Sequence, residues 1–571
     1  MDSPNPSSSS SGKFTGRPGG RPAPLGKGAG KGKGGKGGKG GKAGPVKTKH
    51  SRPGKPGGLH IRTKPAKPPG TPMYGPDGKL LPPQKNPTEN LAIRARPAFK
   101  PGLDPVRDVV MDHLTRQVER YPNFDLRPLR DDGMEPRDAA LAHAIVDATM
   151  RRWLTLGAII ERASGRPIAG MQPPLQAALL VGTTQMLLLD SIPPYAAINH
   201  AVEWLKVAIS VGAGGMANAV LRKISTLKDQ LSKPEPGVWP GDAASIPLTD
   251  CTHLKMPMDI LPELAAQRLA VAVSVPMAMM RRWIERWGPE RATAVALHAL
   301  ARPPVVLNCA HAVGPIDTSM LVDGGVLLPH VVQGSFVFAG TRDDLRDLLS
   351  QRNDIWVQDT ASRMAVEVAA IKLAETIDPK SVKLVVDVCA GHGTKTRQLA
   401  ALYPNARVVA ADPDERRLGI MRSALRDIPQ IHTVRDDQLD DTVRAEAKAM
   451  HLRGADVVLL DVPCSNSGVL ARRPEAKYRL SAQTLGSLSE LQRTIIARGR
   501  AMMGDNKNAA MIYCTCSLED EENIEQVMDT EKRLGLRAVL QQQHLPTGLG
   551  SDAPDRGVTY GDGSFVAMMR G

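Results

Sequence analysis

At 571 residues the chain is too long for one ordinary hydrophobic core, so two or more domains are expected. A formal charge of +15 points to a polyanionic partner, with RNA, DNA and anionic lipid all compatible with it. The start MDSPNPSSSSSGKF has no apolar signal core, and the stretch 175–189 is too short and too interrupted by polar residues to span a bilayer, so a soluble, cytoplasmic protein without a membrane partner is expected.

Residues 1–100 are rich in glycine, lysine and proline (GKGAGKGKGGKGGKGGKAG, KPAKPPGTP). Such a segment buries too little apolar surface to offset chain entropy, which predicts a disordered basic tail suited to sequence-independent phosphate contacts. Over 101–235 the pattern is helical. Leu141, Ala144, Ile145 and Ala148 recur at three- and four-residue steps, 175–189 reads as an apolar helix, and Pro193-Pro194 opens IPPYAAINHAVEWLKVAI. Gly212, Gly214 and Gly215 are expected to break that helix before MANAVLRKISTLKDQL. Residues 236–255 read as a linker, and 256–355 as a small mixed α/β region with a helical PELAAQRLAVAVSVPMAMMRRWIERWG and strand-like PPVVLN and GSFVFAG. From 356 to 571, apolar runs (KLVVDVC, RVVAAD, DVVLLD, AAMIYC) alternate with helical ones, which predicts a doubly wound parallel sheet. Ligands of such sheets sit beyond the carboxyl ends of the strands, here at Cys389, Asp412, Asp461 and Cys514–Ser517.

Four constellations fall there. In DVCAGHGTKT, glycines follow a strand and let backbone N–H groups approach a ligand, although the spacing fits neither GxGxxG nor the phosphate loop. Asp412 ends the next strand, where an acid suits a ribose diol; in DPDERRL it also suits a helix N-cap. DVPCSNSGV holds Asp461 and Cys464, and YCTCSLEDEEN holds Cys514 and Cys516. None of the six cysteines forms a CxxC pair and no histidine stands at ligand spacing, so free thiols and no metal are expected. Each cysteine alone reads equally as a buried small hydrophobe. Two of them at adjacent strand ends beside an acid suit covalent catalysis on a pyrimidine. A thiolate added at C6 makes C5 nucleophilic toward a methyl group, an acid such as Asp461 steadies the N3/N4 edge, and a second thiol assists release.

These motifs, in this order, resemble the RNA 5-methylcytosine methyltransferases of the NOL1/NOP2/Sun family over roughly 260–571, with VQDTASRMA before the catalytic part and GDGSFVAMM as its closing strand. IPPYAAINHAVEWLK and GGMANAVLRKI resemble the NusB-like RNA-binding domain of the bacterial RsmB-type members. The resemblance implies a Rossmann-like α/β methyltransferase domain behind an all-α NusB-like domain, acting on small-subunit (16S) ribosomal RNA with S-adenosylmethionine. It implies that Cys389, Ala390, Gly391, His392, Gly393, Thr394 and Lys395 bind the cofactor. Asp412 would hold its ribose, Asp437 (or its neighbour Asp436) its adenine side, and Asp461 would stand between cofactor and cytosine. Cys516 would be the nucleophile and Cys464 the release residue. His392 stands where the family loop usually has proline, and Thr394 where it has glycine, while Gly391, Gly393 and Lys395 match. Aromatic content of only 3% argues against stacking platforms, so lysine and arginine should dominate RNA affinity, with Arg472, Arg473 and Lys477 facing RNA. A monomer is expected. A DNA cytosine methyltransferase would also carry a Pro-Cys pair, but the TCS motif and the NusB-like segment argue against it. A non-catalytic ribosome-assembly factor and a methyltransferase of a different RNA, such as tRNA, stay compatible with the motifs.

Overall fold

The computed structural model describes residues 104–189, 192–231, 234–237, 239–314 and 326–571, and the elements named are those of the described residues. The basic segment 1–100, with its expected disorder, lies outside them.

The first layer is helical: α1 Pro105–Arg120, α2 Pro136–Arg151, α3 Trp153–Ser164, α4 Pro173–Leu187, α5 Pro194–Ala208 and α6 Val211–Asp229. Four begin on proline for plain reasons. Asp104 accepts from Val106 N and Arg107 N ahead of α1, and Pro136, Pro173 and Pro194 occupy first-turn positions that need no N–H. Helix α4 is buried almost all round, so its polar residues find partners inside the bundle. Thr184 Oγ1 meets Thr149 Oγ1 of α2 at 2.9 Å, and Gln185 Oε1 accepts from Arg107 Nε of α1 at 2.6 Å.

The three glycines expected to separate α5 from α6 lie inside α6 instead. The break falls earlier, at Ile209–Ser210, where the Ser210 hydroxyl caps the new helix by accepting from Ala213 N. A Cβ on Gly214 would stand 3.0 Å from the Val202 carbonyl, so this glycine permits a close crossing of α5 and α6.

The stretch expected as a linker holds a small antiparallel sheet of order β1-β3-β2, formed by β1 Glu235–Pro236, β2 Ser245–Pro247 and β3 Thr252–Lys255. The long helical run after it divides into α7 Ala265–Ala272 and α8 Met277–His298, because Pro276 disfavours helix in the residue before it and Ser274 adopts φ 55°. Helix α8 is itself interrupted at Gly288, whose φ of 77° leaves the helical region. A second antiparallel sheet, order β5-β6-β4-β7, follows from β4 Val305–Asn308, β5 Leu327–Pro329, β6 Ser335–Phe338 and β7 Trp356–Val357, with α9 Arg342–Gln351 before β7.

The remaining elements are α10 Thr360–Ala374, β8 Leu384–Asp387, α11 Thr394–Leu402, β9 Arg407–Asp412, α12 Glu415–Leu425, β10 Ile431–Arg435, α13 Leu439–Ala449, β11 Val457–Asp461, α14 Ala476–Arg479, α15 Ala482–Met503, β12 Ala510–Thr515, α16 Ile524–Leu534, β13 Arg537–His544 and β14 Ser564–Arg570. They build a seven-stranded sheet of order β10-β9-β8-β11-β12-β14-β13. The first five strands are parallel, as the alternation predicts; β14 runs antiparallel to both β12 and β13, so the sheet is mixed. Both faces are covered: Val458 and Leu460 of β11 pack into one core, Val457 and Leu459 into the other. The chain order reverses between β8 and β11, which opens a crevice at their carboxyl ends.

Candidate active site

Strand β8 ends on Asp387, fully buried, whose Oδ2 accepts from Thr396 Oγ1 at 2.7 Å while its Oδ1 has no hydrogen-bond partner. Burial first, and the nearby Asp461 carboxylate, push its carboxyl up to about 7. The chain then turns through Cys389, Ala390, Gly391, His392 and Gly393 into α11. Ala390 N donates to Ala411 O of β9 at 2.9 Å and Gly391 N to Asp412 Oδ2 at 3.0 Å, so the loop is stitched to the neighbouring strand. Gly391 (φ 58°) and Gly393 (φ 84°) both need left-handed backbone, and a Cβ on Gly393 would meet Leu425 at 2.6 Å. His392 is exposed in this loop, and Thr394 opens α11 as its first residue.

Asp412 is buried at the end of β9, and its Oδ1 accepts from Asp414 N at 2.8 Å. It does not cap the next helix: Asp414 does, accepting from Arg416 N and Arg417 N. Asp412 is thereby left with its carboxylate facing the loop after β8. After β10, the two adjacent acids part. Asp436 is buried and held by Arg498 Nη1 at 2.7 Å, whereas the Asp437 side chain is 64% exposed and pairs with Arg435.

Asp461 ends β11, in register with Cys514 of β12, and its Oδ2 accepts from Lys395 Nζ at 2.8 Å. Burial works against the Lys395 charge, but the Asp461 carboxylate outweighs it and holds the ammonium above its usual range. Beyond the strand ends, Cys464 Sγ and Cys516 Sγ face each other at 3.1 Å as free thiols. Cys516 Sγ donates to Asn466 Oδ1 at 3.2 Å, and Asn466, in left-handed backbone (φ 63°), donates its Nδ2 to Cys464 O. The contact with Cys516, then burial, raises the Cys464 thiol well above its ordinary value. The two loops also join through main chain: Gly468 N donates to Cys516 O, and Gly563 N to Gly468 O. A Cβ on Gly468 would meet Gly563 O at 2.7 Å and Cys516 O at 2.9 Å, so only glycine fits between them. Cys514 is buried in the sheet core beneath.

The crevice thus assembles Asp387, Cys389–Lys395, Asp412, Asp461, Cys464 and Cys516 from residues far apart in the chain. Two expectations fail beside it. Lys477, expected to face RNA, is fully buried and donates to Arg151 O of α2 at 2.8 Å. Arg472 is locked between Asp359 and Asp562. Of the three only Arg473 is open, with 64% of its side chain exposed. Glu522 and Asn466 lie within the two motifs but carry no signal of their own in the sequence, because each makes its telling contact across the gap, Glu522 to Ser465 N and Asn466 to the Cys516 thiol. No group of three or more metal-ligating side chains occurs among the described residues, and no helix there is long and apolar enough to cross a membrane.

A helical domain followed by a mixed seven-stranded sheet, with acids at the ends of β8, β9 and β11, defines the class of Rossmann-like methyltransferases. Residues 374–553 match the family model described as 16S rRNA methyltransferase RsmB/F, and residues 107–226 match the NusB family. The chain thus carries an RsmB/F-type methyltransferase domain with a NusB-family domain ahead of it. It is similar to the probable ribosomal RNA small subunit methyltransferase B of Bacillus subtilis (24% identical, covering 81% of this chain and 98% of that one). It is likewise similar to the ribosomal RNA small subunit methyltransferase B of Vibrio cholerae (26% identical, 77% and 92% covered). The crystal structure of PH0851 shares the fold, with a TM-score of 0.56 at 19% identity over 81% of this chain and 99% of that chain.

Proposed function

We propose that the protein methylates C5 of a cytosine in RNA, with 16S ribosomal RNA as substrate and S-adenosylmethionine as methyl donor. In this reading 101–235 binds RNA, 236–255 and 256–355 connect, and 356–571 catalyses. The observation that carries it is the pair of free thiols 3.1 Å apart beyond the strand that ends on Asp461.

The crevice residues fit the cofactor. Asp387, Asp412 and Asp461 place three carboxyl groups around the crevice, with Lys395 on Asp461 and Arg417 3.4 Å from Asp412, and the buried Asp387 Oδ1 without a partner is the acceptor left over for a ligand. The Gly391 backbone has open space where a Cβ would stand, so a ligand can approach the turn closely there, while the N–H groups of Ala390, Gly391 and Gly393 are already bonded to Ala411 O, Asp412 Oδ2 and Ala390 O. Asp412 suits the ribose. Asp437 is the acid after β10 whose carboxylate is not tied into the interior, which favours it over Asp436 for the adenine side.

When bound, S-adenosylmethionine supplies an electrophilic methyl group. Cys516 Sγ adds to C6 of a cytosine unstacked from its strand, and C5 becomes the nucleophile. Asp461, oriented by Lys395, accepts from the N4 amino group, and the Lys395 ammonium beside it offsets the negative charge that thiolate addition moves toward N3. After methyl transfer C5 gives up its proton to a base, the C6–S bond breaks, and Cys464 assists as Cys516 leaves.

The test uses labelled S-adenosylmethionine and ribosomal RNA from cells lacking the protein. Methyl incorporation is expected with the wild type and none with Cys516→Ala, while Cys464→Ala accumulates a covalent protein–RNA adduct on a denaturing gel. An adduct that persists in Cys516→Ala reverses the two roles. No incorporation by the wild type leaves the assembly-factor reading, and labelling of tRNA in preference to 16S RNA moves the substrate.

A further inference from the structure

Helix α15 and the turn before α16 enclose one carboxylate that reaches both thiol-bearing loops. Glu522 is fully buried. Its Oε1 accepts from Ser465 N at 2.9 Å and from Gln492 Nε2 at 3.0 Å, and its Oε2 accepts from Ser517 Oγ at 2.6 Å. Ser465 follows Cys464 directly and Ser517 follows Cys516 directly, so a single side chain grips the residue after each thiol. Gln492 extends the grip by donating to Pro463 O, the residue before Cys464, at 2.9 Å. Tyr513 fixes Glu522 from below, its hydroxyl donating to the Glu522 carbonyl at 2.6 Å. All three donors on the carboxylate are neutral, so the arrangement is not an ion pair that either loop could replace with another charge. Burial pushes the Glu522 carboxyl above its ordinary range, and the hydrogen bonds from Ser465, Ser517 and Gln492 work against that by favouring the carboxylate.

We propose that Glu522 is the positioning residue that sets the register of the two cysteine loops, holding Cys464 and Cys516 face to face. The role rests on reading those cysteines as the pair that acts on the base. Glu522 is not a proton acceptor in the reaction: its oxygens are occupied by Ser465, Gln492 and Ser517, and none faces the thiols. Asn466 restrains the gap from the other side, but it sits within one of the two loops and cannot tie that loop to the sheet.

The experiment compares Glu522→Gln and Glu522→Ala in the full chain. Glutamine keeps an oxygen for Ser465 N and Gln492 and turns an amide toward Ser517 Oγ; alanine removes every bond. The first readout needs neither RNA nor cofactor. A small disulfide is added, it is reduced to two thiols as Cys464 and Cys516 are joined, and the joined peptide is timed by mass spectrometry. The wild type should couple fast, Glu522→Gln within about threefold of it, and Glu522→Ala about 10²-fold more slowly, the scale of a 1 Å misplacement. In methyl transfer, kcat should follow the same order with KM for RNA little changed. Should Glu522→Ala fail to fold, Glu522→Asp, one methylene too short to reach both loops, serves in its place. Coupling at the wild-type rate in Glu522→Ala overturns the proposal. So does a Glu522→Gln protein that couples normally yet transfers no methyl group, because that would put Glu522 in the chemistry. If the wild type methylates no RNA while the coupling order holds, the brace stands and the functional reading fails.

Discussion

Asp387 shows how one side chain links pH to stability here. Its carboxyl is buried, bonded once by Thr396, and pushed up from an ordinary 3.8 to about 7 chiefly by burial. The folded protein therefore holds this proton at a pH where the unfolded chain has lost it. The stability tied to it is complete below about pH 4 and is lost as pH rises through about 7. The shift corresponds to at most about 4 kcal/mol, at roughly 1.4 kcal/mol per unit. Asp387→Asn keeps an acceptor for Thr396 and removes the titration. Relative to the wild type, it should gain stability between pH 5 and pH 8 in urea unfolding, and parallel curves would count against this account. The same variant should weaken S-adenosylmethionine binding if the free Oδ1 serves the cofactor. At this scale the sequence exposed the residues whose chemistry needs a motif: Asp461, Cys464, Cys516 and the glycine loop all meet in the crevice. It hid residues defined by a partner across the fold. Glu522 looked like one acid in a run of four, and Lys477 looked like a solvated charge although it is fully buried on a backbone carbonyl. Residue type alone does not report burial when a main-chain partner is available.

Among the elements, α6 carries the sharpest contrast between pattern and packing. Three glycines in five residues read as a break because glycine weakens helices, yet all three are helical. What decides is what each one touches. Gly214 faces the Val202 carbonyl, where an added Cβ would lie at 3.0 Å from a backbone atom that cannot rotate away; Gly215 has open space around it. Gly215→Ala should therefore stabilise the protein by roughly 0.5–1 kcal/mol, the ordinary gain of alanine over glycine in a helix. Gly214→Ala should show no such gain, and Gly214→Val should lower the melting temperature. Equal gains at both positions would mean that α5 and α6 are not held this close. The parallel strands and their helices were legible because a strand buried on both faces is a continuous apolar run bounded by acids and glycines. The antiparallel edge was not: β13 (RAVLQQQH) is half polar, with no buried residue to mark it, and β14, read as a closing strand only through the resemblance, carries no mark of its direction. The strands of 235–255 were not either: two to four residues among prolines carry no periodicity.

At the scale of the whole molecule, the helical domain holds the catalytic one by its main chain. Arg151, at the end of α2, donates from Nη1 to Ala301 O at 2.9 Å and Ala471 O at 2.7 Å, while Asp147 accepts from its Nη2. Lys477 and Tyr478 return the grip, donating to Arg151 O and Met150 O, and the Tyr478 ring packs edge-on against Phe124 at 5.2 Å. Residues 471–478 are the chain that leads away from Cys464, so the helical domain braces the segment behind that thiol. Two domains joined only by a chain would unfold separately; joined by buried hydrogen bonds they unfold together. Replacing Arg151 with methionine keeps the apolar stem but leaves the Ala301 and Ala471 carbonyls buried without their donor. At roughly 1–3 kcal/mol per unmatched group, the loss should be about 3 kcal/mol. It should also be located at the junction. The wild type should give one cooperative transition in urea by circular dichroism, and Arg151→Met should resolve into two, helical domain first. Because the loosened segment continues directly from the loop that carries Cys464, disulfide coupling of Cys464 to Cys516 should slow in the same variant before either domain unfolds. A single transition shifted as a whole, with coupling unchanged, would show that Arg151 contributes stability without connecting the helical domain to the thiols.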